Sequence, residues 1–445
     1  MRIHILGICG TFMGGLAQIL KESGHTISGS DIQFYPPMSV HLDDIGIEMT
    51  KGYSKETLPK ADLYVIGNAL SRGNECVEYI LNNNLPFKSG PEMLGEILKD
   101  RKVIAISGTH GKTTTSYMLV HIFSNHGRDI GFLVGGVSNN FTTSASLGTD
   151  EVFVIEADEY DSAFFDKRSK FIHYSPHTVV INNIEFDHAD IFNNISDIKK
   201  QFHHLLKIIP SNGNVIYFKN DQNTQDVIEM GSWSKLISYG LSDNQDNLLD
   251  FQSDSMNTLF KINDEEGQIN WEMYGEHNAR NAMVAILAVQ QYGISLQDAL
   301  TSLAKFQGVS KRQDILFDNG NLMLIEDFAH HPTAIKTTLA GIRKKFPEHR
   351  LMAAIELRSN TMRSGFHDEI LVEAISDADK VFWKSEDIEQ AEGLVGKNPA
   401  KSYQILNVDH FVNDFDSISC DILLIMSNGN FDGLSRKLIK KFNEA

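Results

Sequence analysis

The stretch KVIAISGTHGKTTTSYMLV, residues 102–120, decides how the whole chain is read. Val103 to Ile106 form an apolar run of strand length. Gly108, Thr109, His110 and Gly111 then make a glycine-rich turn. Lys112, Thr113 and Thr114 follow, opening a segment with Met118, Leu119, Ile122 and Phe123 at helical spacing. In such a strand, loop, Gly-Lys-Thr and helix order, glycines let backbone N–H groups approach phosphate oxygens. The helix start adds partial positive charge. Lys112 is expected to reach the β- and γ-phosphates, and the Thr113 hydroxyl to ligate Mg²⁺. ATP and magnesium are therefore the expected cofactors, held by Gly108, Thr109, His110, Gly111, Lys112, Thr113 and Thr114. The loop is one or two residues shorter than G-x4-G-K-[ST], unless Ala105 or Ile106 stands in the first glycine's place. A turn without a ligand would not call for a lysine and three threonines at a helix start.

Outward from this loop, short apolar runs alternate with helical patterns. Strands are expected at 2–7, 61–67, 102–107, 151–156, 177–183, 322–326, 351–355 and 420–426. Helices are expected at 92–100, 275–292, 295–306, 332–346, 366–376 and 431–443. The pattern predicts an α/β fold of parallel sheets covered by helices. At roughly 100–200 residues per domain, 445 residues make two to four domains. Three are expected: a Rossmann-like unit at 1–98, a P-loop ATPase-type unit at 99–311 and a second Rossmann-like α/β unit at 312–445. The polar stretch 240–270 lacks clear periodicity and is expected to be loop with short strand.

Forty Lys plus Arg against 58 Asp plus Glu leave a formal charge of −18, which argues against general nucleic-acid binding. The three cysteines, Cys9, Cys76 and Cys420, are too far apart for a disulfide framework or metal pair. A reducing, cytoplasmic compartment is expected. The N-terminus does not read as a signal peptide, and no apolar run is long enough to span a membrane.

Acids and imidazoles cluster at other strand ends. EVFVIEADEYD, residues 151–161, places Glu156 where parallel sheets bind ligands. HTVVINNIEFDHADIF, residues 177–192, does so for Asn182, Asn183, Glu185, Asp187 and His188. Glu156 and His188 on neighbouring strand ends could hold magnesium beside the γ-phosphate. In GEHNARNA, residues 275–282, Asn278 and Asn281 share a helix face and either cap it or meet a purine. In DFAHHPT, residues 327–333, adjacent histidines rarely ligate one ion together. His330 and His331 are expected to make polar contacts to nucleotide or substrate.

The N-terminal loop has Gly7, Gly10, Gly14 and Gly15 after a first strand, with Cys9 at the middle glycine position of G-x-G-x-x-G. A second strand ends at Gly29-Ser30-Asp31, where an acid would meet a ribose or base. A UDP-linked substrate explains two nucleotide sites in one chain more simply than a dinucleotide does.

The ordered set GTHGKTTT, EADEYD, NNIEFDHAD, GEHNARNA and DFAHHPT resembles the Mur ligases, the ATP-dependent amide ligases of peptidoglycan assembly. The resemblance implies that the first domain binds the UDP-sugar through Gly10, Thr11, Met13, Gly14 and Gly15, with Asp31, Ser71, Arg72 and Asn74 nearby. It implies catalytic roles for Lys112, Glu156 and His188, and a magnesium set of Thr113, Glu156 and His188. Asn278 would meet adenine, and Arg312, Asp327 and His330 would stand at the ATP cleft. UDP-N-acetylmuramate is the implied carboxylate donor. The segments at 163–176, 355–365 and 425–433 point to the murein tripeptide L-alanyl-γ-D-glutamyl-meso-diaminopimelate as the amine, with free L-alanine the alternative. Arg358, Ser359, Asn360, Ser427 and Asn428 would take the tripeptide's carboxylates. A regulator that binds nucleotide without catalysis is the alternative from another class. Several relatives carry a carbamylated lysine in the helix after the magnesium histidine. Here Gln201-Phe202-His203 fall near that position and no carbamylation is expected. Lys112→Ala is expected to abolish ATP turnover, read as phosphate release, while calorimetry shows UDP-sugar binding largely intact. Joint loss of both would place the two sites on one unit.

Overall fold

A computed structural model describes the chain except residues 242–246, 252–256, 272, 274, 416–419 and 445. Three parallel-based sheets follow one another along the chain, each flanked by helices. The first has five strands, in the order Glu48–Lys51, Thr26–Asp31, Arg2–Leu6, Leu63–Ile66, Phe87–Ser89. All its pairings are parallel. The helix Gly90–Ile97, capped by Ser89 and begun with Pro91, carries the chain onward.

The second sheet places Lys102–Ser107 between Thr178–Ile181 and Val152–Glu156. Its further strands are Asn214–Phe218 and Lys235–Tyr239 on one side, and Gly131–Leu133 and Ala145–Ser146 on the other. The inner strands are buried on both faces, which explains their continuous apolar runs. The helix Lys112–Asn125 is buried from Thr113 through Phe123. It shares one hydrophobic core with Glu276–Gln290, itself buried over most of its length.

The stretch expected to be loop and short strand carries an antiparallel meander of Asn247–Phe251, Asn257–Ile262 and Glu265–Asn270. Leu249, Phe260, Ile262 and Ile269 turn into the central core. Its outward positions mix Leu248 and Leu259 with Asp250 and the Lys261–Glu266 pair, 3.3 Å apart, while polar Asn247 and Thr258 are buried. The mixture of types on each face hides the alternation.

The third sheet runs Asp314–Asp318, Met323–Asp327, Ile422–Met426, Leu351–Leu357, Lys380–Ser385, Ser402–Gln404. Only its first pairing is antiparallel. Asp327, Met426 and Leu357 thus end neighbouring strands on one edge. Among the described residues, no helix is long and apolar enough to cross a membrane.

One buried polar group gives the first sheet a pH dependence. His4 is fully enclosed, its ring nitrogens 2.9 Å from Ser28 Oγ and 2.8 Å from Ser30 Oγ. Burial lowers its pKa from 6.5 to about 4. Between those values the unfolded chain binds the proton that the folded chain refuses. Stability should therefore fall as pH drops from 6.5 toward about 4, by at most about 1.4 kcal/mol per pH unit. Denaturant unfolding of the protein and of His4→Asn across this range checks it; an unchanged slope in the variant would refute it.

Candidate active site

The phosphate-loop strand lies between the two strands that carry the acids, so all three strand ends open on one place. Backbone pairing then clamps the loop. Thr109 N donates to Asn183 O at 3.0 Å, and His110 N to Asn183 Oδ1 at 2.8 Å. Gly108 has φ +124°, and a Cβ there would come 2.8 Å from Asn183 O. Gly111 has φ +82°, and its Cβ would meet Asn281 Oδ1 at 2.4 Å and Asn182 Nδ2 at 2.6 Å. Both positions therefore require glycine.

A cleft of about 550 Å³ opens over this loop. Its walls include His110, Lys112, Thr113 and Thr114 of the loop, Glu156 and His188 of the flanking strand ends, and Asn278. Arg312, Asp327 and His330 of the third sheet's side close it. These expected nucleotide contacts thus come together. Asp327 accepts the N–H groups of Gln313 and Ala329, each at 2.8 Å. The Arg312 guanidinium stacks over Phe328, 4.6 Å from the ring centre. Burial raises the Asp327 pKa and lowers that of Arg312. Gln313, with φ +55°, holds strained backbone between them.

Thr113 Oγ1 lies 3.1 Å from both Glu156 carboxylate oxygens. His188, itself at φ +58°, joins Asp158 and Glu159 instead, and their ligating atoms lie within 4.8 Å of one another. Glu159 is 1% exposed, with one oxygen 3.4 Å from His188 Nε2 and the other 3.8 Å from Lys112 Nζ. The latter oxygen has no hydrogen-bond donor. Lys112 Nζ donates to Gly108 O at 2.5 Å. Burial alone would lower the Lys112 pKa, but Glu159, Asp158, Glu156 and Asp187 outweigh it and hold it raised. Burial likewise opposes the charge on Asp158 and Asp187. Lys170, Lys112 and His188 around the first, and His188 and Thr361 around the second, hold both well below the usual carboxylate range. Hard oxygen donors around an orphaned carboxylate oxygen suit a magnesium ion. Thr113, Glu156, Asp158, Glu159 and His188 are the residues present to hold one.

Asp158 and Glu159 lie in the quoted EADEYD motif, but their spacing does not single them out. Thr361 donates to Asp187 at 2.8 Å across 174 residues of chain, and no sequence signal marks it. The histidine pair divides. His330 lines the cleft, whereas His331 turns to His110, their nearest ring nitrogens 3.2 Å apart. In the helix Ile195–Ile208, Lys199 pairs with Asp226 and Lys200 with Asp197, and neither lines the cleft.

The first-domain loop sits at the start of the helix Thr11–Glu22, with Gly10 as its N-cap and Thr11 exposed. Asp31 accepts Cys9 N–H at 2.9 Å and so shapes the loop. The Met13 side chain is buried in the core against Gly67 and Gly90. Gly14 and Gly15 serve close packing, on Met38 and on Ala145 and Leu133 respectively. Ser71 is exposed; Arg72 is held by Glu78 at 2.8 Å, and Asn74 caps the next helix. In the third domain, Arg358 lies across Gly429, where a Cβ would come 2.5 Å from its guanidinium. Ser427 donates to Glu356, and Asn428 Oδ1 is buried without a partner. Ser359 caps the short helix that Asn360 begins.

Two family models match the chain: "Mur ligase family, catalytic domain" over residues 2–102 and "Mur ligase middle domain" over 106–289. The Escherichia coli UDP-N-acetylmuramate–L-alanyl-γ-D-glutamyl-meso-2,6-diaminoheptandioate ligase is 43% identical, over 99% of this chain and 98% of its own. An Endomicrobium trichonymphae UDP-N-acetylmuramate–L-alanine ligase is 31% identical, over 85% of this chain and 83% of its own. The crystal structure of a murein peptide ligase from Psychrobacter arcticus is 39% identical and superposes with TM-score 0.77, over 100% of this chain and 99% of its own.

Gly111→Ala should weaken triphosphate binding at least tenfold, since left-handed strain and the clash with Asn281 and Asn182 each cost about 1–2 kcal/mol. Calorimetric titration with a non-hydrolysable ATP analogue measures it. Wild-type affinity in the variant would refute it.

Proposed function

Because the chain belongs to the Mur ligase family, an ATP-dependent family of amide-bond-forming ligases, we propose that it joins UDP-N-acetylmuramate to L-alanyl-γ-D-glutamyl-meso-diaminopimelate in cytoplasmic murein recycling. The observation that carries this reading is the convergence, in one cleft, of the phosphate loop with Glu156, His188, Arg312 and Asp327. Greater identity to the tripeptide ligase than to the L-alanine ligase supports the choice of amine.

A carboxylate is a poor electrophile. The muramate carboxylate oxygen attacks the γ-phosphorus of ATP, releasing ADP and leaving an acyl phosphate. The free α-amine of the tripeptide then attacks the carbonyl carbon. Phosphate leaves, the amide forms and the amine loses a proton. Negative charge gathers on the transferring phosphoryl group, where the charged Lys112 ammonium offsets it. In this reading Lys112 leaves the Gly108 carbonyl for the phosphates. Magnesium would be held by Thr113 with Glu156 and by His188 with Asp158 and Glu159, and would supply Lewis-acid stabilisation of the same charge. Glu159 also faces Lys112. Asn278 faces adenine, and Arg312, Asp327 and His330 line the nucleotide from the third domain. The limits 1–98, 99–311 and 312–445 divide UDP-sugar, ATP and acceptor binding among three units. Arg358, with Ser427 and Asn428 on the adjoining strand end, presents a planar donor to the acceptor's carboxylates.

Phosphate release with ATP and UDP-N-acetylmuramate should depend on the tripeptide. Efficient turnover with L-alanine alone would overturn the choice of acceptor. ATP binding with no acceptor-dependent ADP formation would favour a nucleotide-binding regulator.

A further inference from the structure

Outside the magnesium set, a second group of ligating atoms converges where the phosphate loop meets the third domain. His110 comes from the loop, Glu185 from the segment after the strand Thr178–Ile181, and His331 from the N-cap of the helix Pro332–Lys345. His110 Nε2 and His331 Nδ1 are 3.2 Å apart, and Glu185 Oε2 lies 3.9 Å from the first and 3.5 Å from the second. Ligands bound tetrahedrally at zinc distances stand roughly 3.3–3.5 Å from one another. The three separations bracket that value.

Two acceptors of this cluster face each other. His331 Nδ1 accepts the Thr333 N–H at 3.3 Å, which puts its own proton on Nε2. That Nε2 is buried without a partner. His331 Nδ1 and Glu185 Oε2 are two acceptors 3.5 Å apart, met by the N–H and the hydroxyl of Thr333, with at most one N–H of His110 between them. A bound cation removes that opposition. We propose that His110, Glu185 and His331 form a site for a divalent transition-metal ion of the zinc class, separate from the magnesium site. Two imidazoles and one carboxylate suit zinc rather than magnesium, and three protein ligands leave a fourth position open. Because His331 belongs to the third domain and His110 to the phosphate loop, the ion would tie the two together and hold the cleft closed. This inference does not depend on which amine the enzyme accepts.

The full chain, stripped with chelator and kept in excess magnesium, is titrated with zinc by calorimetry and with cobalt(II) by visible absorption. One equivalent of zinc and a tetrahedral cobalt spectrum are expected, together with a zinc-dependent rise in melting temperature. His110→Ala and His331→Ala should each weaken zinc by roughly tenfold or more, and Glu185→Gln should weaken it with little change in shape. His188→Ala, which dismantles the other triad, should leave this equivalent in place. If a histidine variant fails to fold, anomalous scattering from zinc-soaked wild-type crystals decides, with a peak expected between the three side chains. No bound equivalent, an affinity insensitive to both histidine substitutions, or a peak confined to Asp158, Glu159 and His188 overturns the assignment.

Discussion

The parallel pairing of Thr178–Ile181 with Lys102–Ser107 is the constraint on which the rest of the site depends. It brings Asn182 and Asn183 against the phosphate loop, where their backbone and amide groups hold Thr109 and His110. Close approach at Gly108 and Gly111 leaves no room for a side chain there. The segment that clasps the loop also carries Glu185, Asp187 and His188. The loop and the acid–imidazole set are therefore positioned as a unit by the same strand pairing.

Within that unit, buried charge is matched unevenly. Glu156, Asp158, Glu159 and Asp187 surround the Lys112 ammonium, which they keep protonated against the cost of burial. Glu159 is enclosed almost completely and still has an oxygen without a donor. Buried carboxylates in excess of their partners are costly, and a bound cation is the usual compensation. The overall charge of −18 says nothing of this, because the arrangement is local.

The third domain meets this unit through side-chain hydrogen bonds and through the Phe366 ring, 4.7 Å from that of Phe186. Thr361 reaches Asp187, and Thr333 reaches Glu185. The first domain is attached by packing of Gly15 on Ala145 and Leu133 and by hydrogen bonds from Thr143 to Gln18 and from the Leu147 N–H to Glu22.

The sequence by itself determined the elements whose cause is local. A run of apolar residues before Gly-Lys-Thr makes a buried strand and a phosphate loop wherever it occurs, and acids just beyond such runs fall at strand ends. For that reason Lys112, Thr113, Glu156 and His188 could be singled out before any coordinates. The meander at Asn247–Asn270 was legible only as loop and short strand, because Leu248 and Leu259 face outward while Asn247 and Thr258 are buried. Only the tertiary structure decided which strand ends are neighbours, that Glu159 rather than a more conspicuous acid stands between Lys112 and His188, and that Met13 turns into the core. It also separated His330 from His331, sending one to the cleft and the other to His110 and Glu185. These are contacts across tens to hundreds of residues. They are set by how sheets and helices pack, and residue spacing along the chain carries no record of that.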